Sequence, residues 1–224
     1  MFAIALDGPA GAGKSTVAKL TAKRLQMHYV DTGAIYRTLG LALYRLGVDL
    51  EDEKAVEAAL PSLDVAIRYQ NDVQHMTVNG EDLTKQIRTQ EVGTMASVTA
   101  VYGCVRDKLL SCQRTLAEQY EVIMDGRDIG TVVLPDAELK IYLTADVRER
   151  AMRRFLELEA KNPGTNSLEE IEKQVRERDE RDMNRAIAPL RKADDAVEID
   201  TTHMSAEEAA NRIAELAEKR KYAD

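Results

Sequence analysis

An eight-residue segment near the start of the chain has the residue types and spacing of a phosphate-binding loop. Gly8-Pro9-Ala10-Gly11-Ala12-Gly13-Lys14-Ser15 matches the pattern G-x-x-x-x-G-K-[ST] in full. The apolar run Ala3–Leu6 precedes it, and apolar residues at helical spacing follow it. In that context backbone N–H groups cradle phosphate oxygens, Lys14 reaches the β- and γ-phosphates, and the Ser15 hydroxyl ligates Mg²⁺. The sequence therefore predicts a site for a nucleoside triphosphate.

Arginine is concentrated late in the chain, where residues 146–185 hold eight of the 19 arginines. On helices, Arg150, Arg153 and Arg154 would share one face, and Arg178, Asp182 and Arg185 another. A planar guanidinium suits phosphate oxygens, although solvated helices with i,i+4 ion pairs also produce such patterns. Beside a phosphate loop, we favour a lid that folds over the transferring phosphoryl group.

Two further clusters follow predicted strands. They are Asp31-Thr32-Gly33-Ala34-Ile35-Tyr36-Arg37 and Asp125-Gly126-Arg127-Asp128-Ile129-Gly130. Ligands of an open parallel sheet collect at the carboxyl ends of its strands. Each cluster combines acids, arginine and glycine, so together they predict a second site, for an anionic acceptor with a polar body.

Five short apolar runs separated by helical patterns predict a parallel sheet covered by helices. The runs are Ala3–Leu6, Met27–Val30, Glu121–Met124, Leu139–Leu143 and Ala196–Ile199.

Helices are expected over Gly33–Leu46, closed by Gly47, and over Asp49–Leu60, stopped by Pro61. Acids three residues after Asp146, Ser167 and Ser205 mark three further helix starts, with a turn at Asn162-Pro163-Gly164 between the first two. Val65–Tyr69 and Val73–Val78, joined through Gln70-Asn71-Asp72, predict a small β insertion outside the main sheet.

Composition excludes several other classes of protein. The 224 residues carry 39 acids against 31 bases and only 4% aromatics, which disfavours a nucleic-acid partner. The longest uncharged stretch, Val92–Val105, is too short and too polar to span a bilayer.

Cys104 and Cys112, eight apart on one predicted helix, are expected to be buried free thiols of a reducing cytoplasm. No asparagine is followed by lysine, so the guanine-binding Asn-Lys-x-Asp of a switch GTPase is missing.

The motifs together closely resemble bacterial-type cytidylate kinases, a family of nucleoside monophosphate kinases. The resemblance rests on Gly8–Thr16, Asp31–Arg37, Gly126–Val133, Pro135–Ala137, and Arg178–Arg185 followed by Pro189-Leu190. It implies an α/β P-loop NTPase-type three-layer fold with a five-stranded parallel sheet, in one domain spanning 1–224. It further implies a monophosphate-binding region at about 32–105 with the β insertion at about 63–85, and a lid at about 146–185.

The resemblance also implies transfer of a phosphoryl group from ATP, with Mg²⁺, to CMP or dCMP by a cytoplasmic monomer. The ATP-binding residues carried over are Gly8, Pro9, Ala10, Gly11, Ala12, Gly13, Lys14, Ser15 and Thr16, with Arg150 and Arg154. The CMP-binding residues are Thr32, Arg37, Ser97, Arg106, Arg127, Asp128, Arg178, Asp182 and Arg185. Lys14, Arg127, Arg178 and Arg185 are the catalytic candidates. A kinase for UMP and CMP or for a small metabolite, and a regulatory P-loop switch, are the alternatives.

Overall fold

The computed structural model describes residues 1–70, 73–161 and 163–221, without the side chain of Lys161. The chain forms two compact units. The first contains Met1 and His28–Tyr120, and the second contains Phe2–Met27 and the described residues from Glu121 onward. The predicted turn residues Asn71, Asp72 and Asn162 lie outside the described residues.

The described residues form eight strands and eight α-helices. The strands are β1 (Ala3–Asp7), β2 (His28–Asp31), β3 (Val65–Gln70), β4 (Val73–Val78), β5 (Glu81–Asp82), β6 (Val122–Gly126), β7 (Leu139–Thr144) and β8 (Val197–Asp200). The helices are α1 (Lys14–Leu25), α2 (Thr32–Arg45), α3 (Glu53–Ala59), α4 (Gln90–Thr99), α5 (Gly103–Gln119), α6 (Val147–Lys161), α7 (Leu168–Asn184) and α8 (Ala206–Lys221).

The main sheet has the strand order β2-β6-β1-β7-β8. Its central strand β1 is buried along its whole length and pairs in parallel with both β6 and β7. β7 in turn pairs in parallel with β8. The five-stranded parallel sheet predicted from the apolar runs is confirmed, with strand ends that differ from the prediction by one or two residues.

In the second unit, helices pack beside the strands of the sheet and against one another. α1 packs against α8, and α6 packs against α7. Ala151, Ile171 and Val175 form the buried contact between α6 and α7. The predicted pair of helices over residues 146–185 is therefore present and has an apolar core of its own.

In the first unit, α2 packs against α4, and the β insertion forms a separate antiparallel sheet in the order β3-β4-β5. A sheet outside the main one was predicted, but its third strand, Glu81–Asp82, was not. Two residues directly after the Asn79-Gly80 turn are too few to show an alternating pattern.

Two expectations for the first unit are corrected. The helix expected from Asp49 begins at Glu53, because the Asp52 side chain accepts hydrogen bonds from the N–H groups of Lys54 and Ala55 and caps it there. Cys104 and Cys112 are free thiols, as predicted, but both are partly exposed rather than fully buried.

Candidate active site

The phosphate loop joins the end of β1 to the start of α1. Gly8 has φ 151°, and a Cβ atom placed on it would lie 2.0 Å from the carbonyl oxygen of Leu143 on β7. Gly13 caps α1 in the left-handed conformation, with φ 84°. These two positions require glycine because the loop passes directly against the neighbouring strand and then reverses into a helix.

Lys14, the first residue of α1, is 6% exposed, and its Nζ donates to the carbonyl oxygen of Pro9 at 2.7 Å. Burial lowers the pKa of this lysine well below its ordinary value. The charges of Arg127 and Arg178 lower the same pKa further, and Asp125 and Asp182 oppose them. The surroundings of Lys14 therefore disfavour a positive charge on its amine. An anionic ligand would compensate for this, and such a lowered lysine pKa is typical of a functional site.

Ser15 faces a carboxylate on the neighbouring strand. Its Oγ donates to Oδ2 of Asp125 at 2.7 Å, and Asp125 is buried near the carboxyl end of β6, in register with Leu6 of β1. A hydroxyl and a carboxylate are the hard oxygen ligands that Mg²⁺ prefers, so this pair fits the metal ion that the phosphate-loop motif implies. Sequence reasoning assigned Ser15 to the metal, but it placed Asp125 only in the cluster expected to bind the anionic acceptor.

Two ion pairs join the loop after β6 to α7 and to Arg185, the residue that follows this helix. Arg127 Nε donates to Asp182 Oδ2 at 2.8 Å, and Arg185 Nη2 donates to Asp128 Oδ1 at 3.2 Å. Burial lowers the pKa of Arg127, but the charge and hydrogen bond of Asp182, together with the charges of Asp125 and Asp179, outweigh burial and raise this pKa. The structure thus brings together four residues that the sequence placed in two separate motifs.

Asp7, the last residue of β1, also holds the loop after β6. Its Oδ1 accepts the N–H of Ile129 at 2.8 Å, and its Oδ2 accepts the N–H of Gly130 at 2.7 Å. Burial raises the pKa of Asp7 to about 6, and the two backbone hydrogen bonds oppose that rise. Asp7 was not predicted as a site residue, although it stands between the first strand and the phosphate loop.

The two predicted ATP-facing arginines of α6 have different surroundings. Arg150 is buried; its Nη1 donates to the carbonyl oxygen of Ala10 at 2.8 Å and to Oδ2 of Asp179 at 2.6 Å. The other Asp179 oxygen accepts the N–H of Ala10 at 3.1 Å. Arg154 is partly exposed and pairs with Glu157. Arg150 therefore joins both helices to the phosphate loop, which a pair of merely solvated helices would not do.

The first unit holds the other four predicted acceptor-binding residues. Thr32 is the first residue of α2, and Arg37 on the same helix pairs with Asp31 at 3.0 Å. Ser97 Oγ donates to the carbonyl oxygen of Gly93 within α4. Arg106 donates to the carbonyl oxygen of Ala100 and lies 5.6 Å from the ring centre of Tyr36.

The sequence model of one family, described as Cytidylate kinase, matches residues 4–219. The chain belongs to the cytidylate kinase family. A cytidylate kinase of Geobacillus sp. (strain WCH70) is 48% identical over 217 residues, covering 97% of this chain and 96% of that relative. A cytidylate kinase of Listeria monocytogenes is 47% identical over 216 residues, covering 96% of this chain and 95% of the relative.

Among solved structures, an uncharacterized protein from Eubacterium ventriosum superimposes with a TM-score of 0.52 at 12% identity. The match covers 97% of this chain and 99% of that one, and at this identity it supports the fold alone. No helix in the described part of this cytidylate kinase family member is long and apolar enough to cross a membrane.

Proposed function

We propose that the chain transfers the γ-phosphoryl group of ATP to CMP or dCMP, giving CDP or dCDP. The observation that carries this proposal is the phosphate loop with its buried Lys14, placed among the charges of Arg127 and Arg178 in a chain of the cytidylate kinase family. The cytidylate kinase relatives, which match this chain over nearly their full lengths, support the choice of acceptor.

On the donor side, we assign ATP binding to Gly8–Thr16 with Arg150 and Arg154. Arg150 reaches the phosphate loop through the carbonyl oxygen of Ala10, so it is placed to hold the loop for the triphosphate. Ser15 and Asp125 would hold Mg²⁺. When bound, the ion neutralises charge on the phosphates.

We assign acceptor binding to the nine residues that the resemblance to cytidylate kinases implies. They are Thr32, Arg37, Ser97, Arg106, Arg127, Asp128, Arg178, Asp182 and Arg185. The ion pairs of Arg127 with Asp182 and of Arg185 with Asp128 keep both guanidinium groups oriented. The preformed orientation lowers the entropic cost of binding an anionic substrate.

The reaction needs no general base. The second phosphate pKa of a nucleoside monophosphate is about 6, so the acceptor is mostly a nucleophilic dianion at neutral pH. The protein's tasks are alignment, charge neutralisation and exclusion of water, which would otherwise accept the phosphoryl group. Lys14, Arg127, Arg178 and Arg185 supply positive charge, and closure of residues 146–185 would exclude water.

The preference for cytosine follows from hydrogen-bond chemistry. Cytosine presents an amino donor and an N3 acceptor where uracil presents a carbonyl oxygen and an N3 donor. We place the carboxylate of Asp128 at the amino group, and the guanidinium of Arg106 or Arg127 at the O2 and N3 edge. A mispaired buried polar group costs roughly 2–4 kcal/mol, so CMP should exceed UMP by about a hundredfold or more in kcat/KM.

A coupled ADP-release assay with a panel of nucleoside monophosphates and sugar acids tests the assignment. We expect turnover with CMP and dCMP, and a CMP-to-UMP ratio that narrows in Asp128→Asn chiefly through loss of CMP activity. Equal rates with CMP and UMP would make the chain a general pyrimidine kinase. Turnover only with a sugar acid, or nucleotide hydrolysis without transfer, would refute the proposal in favour of a metabolite kinase or a switch.

We also propose that the enzyme is a monomer of the cytoplasm without a nucleic-acid or membrane partner. The acidic composition and the two free thiols support this. Size-exclusion chromatography with light scattering tests the monomer, and cell fractionation tests the location.

A further inference from the structure

The carboxylate of Asp31, at the end of β2, holds three groups of the first unit. It accepts hydrogen bonds from the N–H of Ala34 at 2.8 Å, from Arg37 at 3.0 Å and from Arg88 at 2.9 Å. Burial alone would raise the pKa of this carboxyl, but the charges of Arg37 and Arg88 hold it below its ordinary value. Asp31 is therefore ionised at neutral pH and holds the Arg37 side chain beside the start of α2.

The backbone of Asp31 is held in turn by a side chain of the β insertion. Gln74 lies on β4 and is 9% exposed. Its Oε1 accepts the N–H of Asp31 at 2.7 Å, and its Nε2 donates to the carbonyl oxygen of Asp31 at 3.2 Å. Two hydrogen bonds from one amide to both backbone groups of one residue fix the orientation of that residue, and hence of its carboxylate.

One hydrogen-bond donor of Arg37, its Nε–H, has no acceptor among the described residues. Its Nε is buried and makes no hydrogen bond to any described residue, whereas its Nη2 is held by Asp31. An unsatisfied buried N–H is costly, and an anionic oxygen from a ligand would satisfy it. The rotamer that presents this N–H is the one that Asp31 holds.

We infer that Gln74 is a positioning residue for the acceptor phosphate, through which the β insertion sets the Asp31–Arg37 pair. The inference rests on the proposed function, since it takes CMP as the ligand of Arg37. It gives the insertion a role in acceptor affinity that a sheet serving only to stabilise the first unit would not have.

Gln74→Met tests the inference, because methionine keeps the side-chain length and removes both hydrogen bonds to Asp31. We expect the KM for CMP to rise by about tenfold, while kcat and the KM for ATP change by less than about twofold. Gln70→Met is the matched control, since Gln70 lies exposed at the end of β3 in the same sheet, and it should leave all three constants unchanged.

The second variant, Gln74→Asn, keeps an amide but is one methylene too short to bridge both backbone groups. It should also raise the KM for CMP, and it covers the case in which Gln74→Met does not fold. A lower melting temperature with an unchanged KM for CMP would overturn the inference, because the hydrogen bonds from Gln74 to Asp31 would then only stabilise the β insertion. A parallel rise in both KM values would overturn it as well. A wild-type chain that does not phosphorylate CMP would refute the proposed function itself, and this inference with it.

Discussion

Asp7 offers a direct test of how the loop after β6 is held. Asp7 is 4% exposed, and its carboxylate accepts two backbone N–H groups, one on each oxygen. Asparagine has the same shape but only one acceptor oxygen, so Asp7→Asn removes the titratable group and leaves one N–H facing the amide NH₂. The loss of that hydrogen bond costs about 1–3 kcal/mol.

The charge effect has the opposite sign and a similar size. The folded pKa of about 6 lies above the ordinary value of 3.8, so between these pH values the folded chain binds more protons at Asp7 than the unfolded chain does. The free energy of unfolding therefore falls as the pH rises through this window, by about 3 kcal/mol in total. Because the two effects nearly cancel at neutral pH, the pH dependence is the decisive quantity.

The assay is urea denaturation of the wild-type chain and Asp7→Asn from about pH 4 to 7, at low protein concentration because the sequence pI is about 5.1. The advantage of the wild type over the variant should shrink by about 3 kcal/mol across this range. Asp136→Asn is the control, since Asp136 lies exposed, and its curve should stay parallel to the wild type. A constant difference between wild type and Asp7→Asn would refute the reasoning.

Three further predictions concern the phosphate loop and the helices over residues 146–185. Lys14→Met should lower kcat by at least about a hundredfold with an unchanged circular dichroism spectrum, because it removes a charge aimed at the transferring group; near-normal activity would contradict the assignment. Arg150→Ala should lower the free energy of unfolding by about 3–5 kcal/mol, because it leaves Asp179 buried without its ion-pair partner. Arg154→Ala removes only an exposed ion pair and should lower it by less than about 1 kcal/mol. Equal losses for the two variants in thermal melts would contradict the different roles assigned to these arginines. Amide exchange in residues 146–185 should slow markedly when CMP and a non-hydrolysable ATP analogue are added to the chain; identical exchange with and without both ligands would argue against a lid.

Local patterns in the sequence were enough to predict most of the fold. Apolar runs of four or five residues identified the five main strands because strands buried on both faces have few polar residues. The predicted capping box at Ser205 is reciprocal: Glu208 accepts the Ser205 N–H at 2.8 Å and donates its own N–H to Ser205 Oγ at 3.2 Å. Such signals work because both partners lie within one turn of the chain. The start of α3 was misplaced because several acids near it could each cap a helix.

The sequence predicted those parts of the candidate site that belong to contiguous motifs. The phosphate loop is a contiguous segment, so residue types and spacing alone determine its phosphate-binding backbone. The contacts of Asp7, Asp125 and Asp179 were not predicted because their partners Ile129, Ser15 and Ala10 lie 122, 110 and 169 residues away in sequence. A lone acid after an apolar strand, or among the acids of a charged helix, does not identify its partner. Only the packing of β1 beside β6, and of α7 against the phosphate loop, decided which carboxylates became buried and which hydrogen-bond donors they accept.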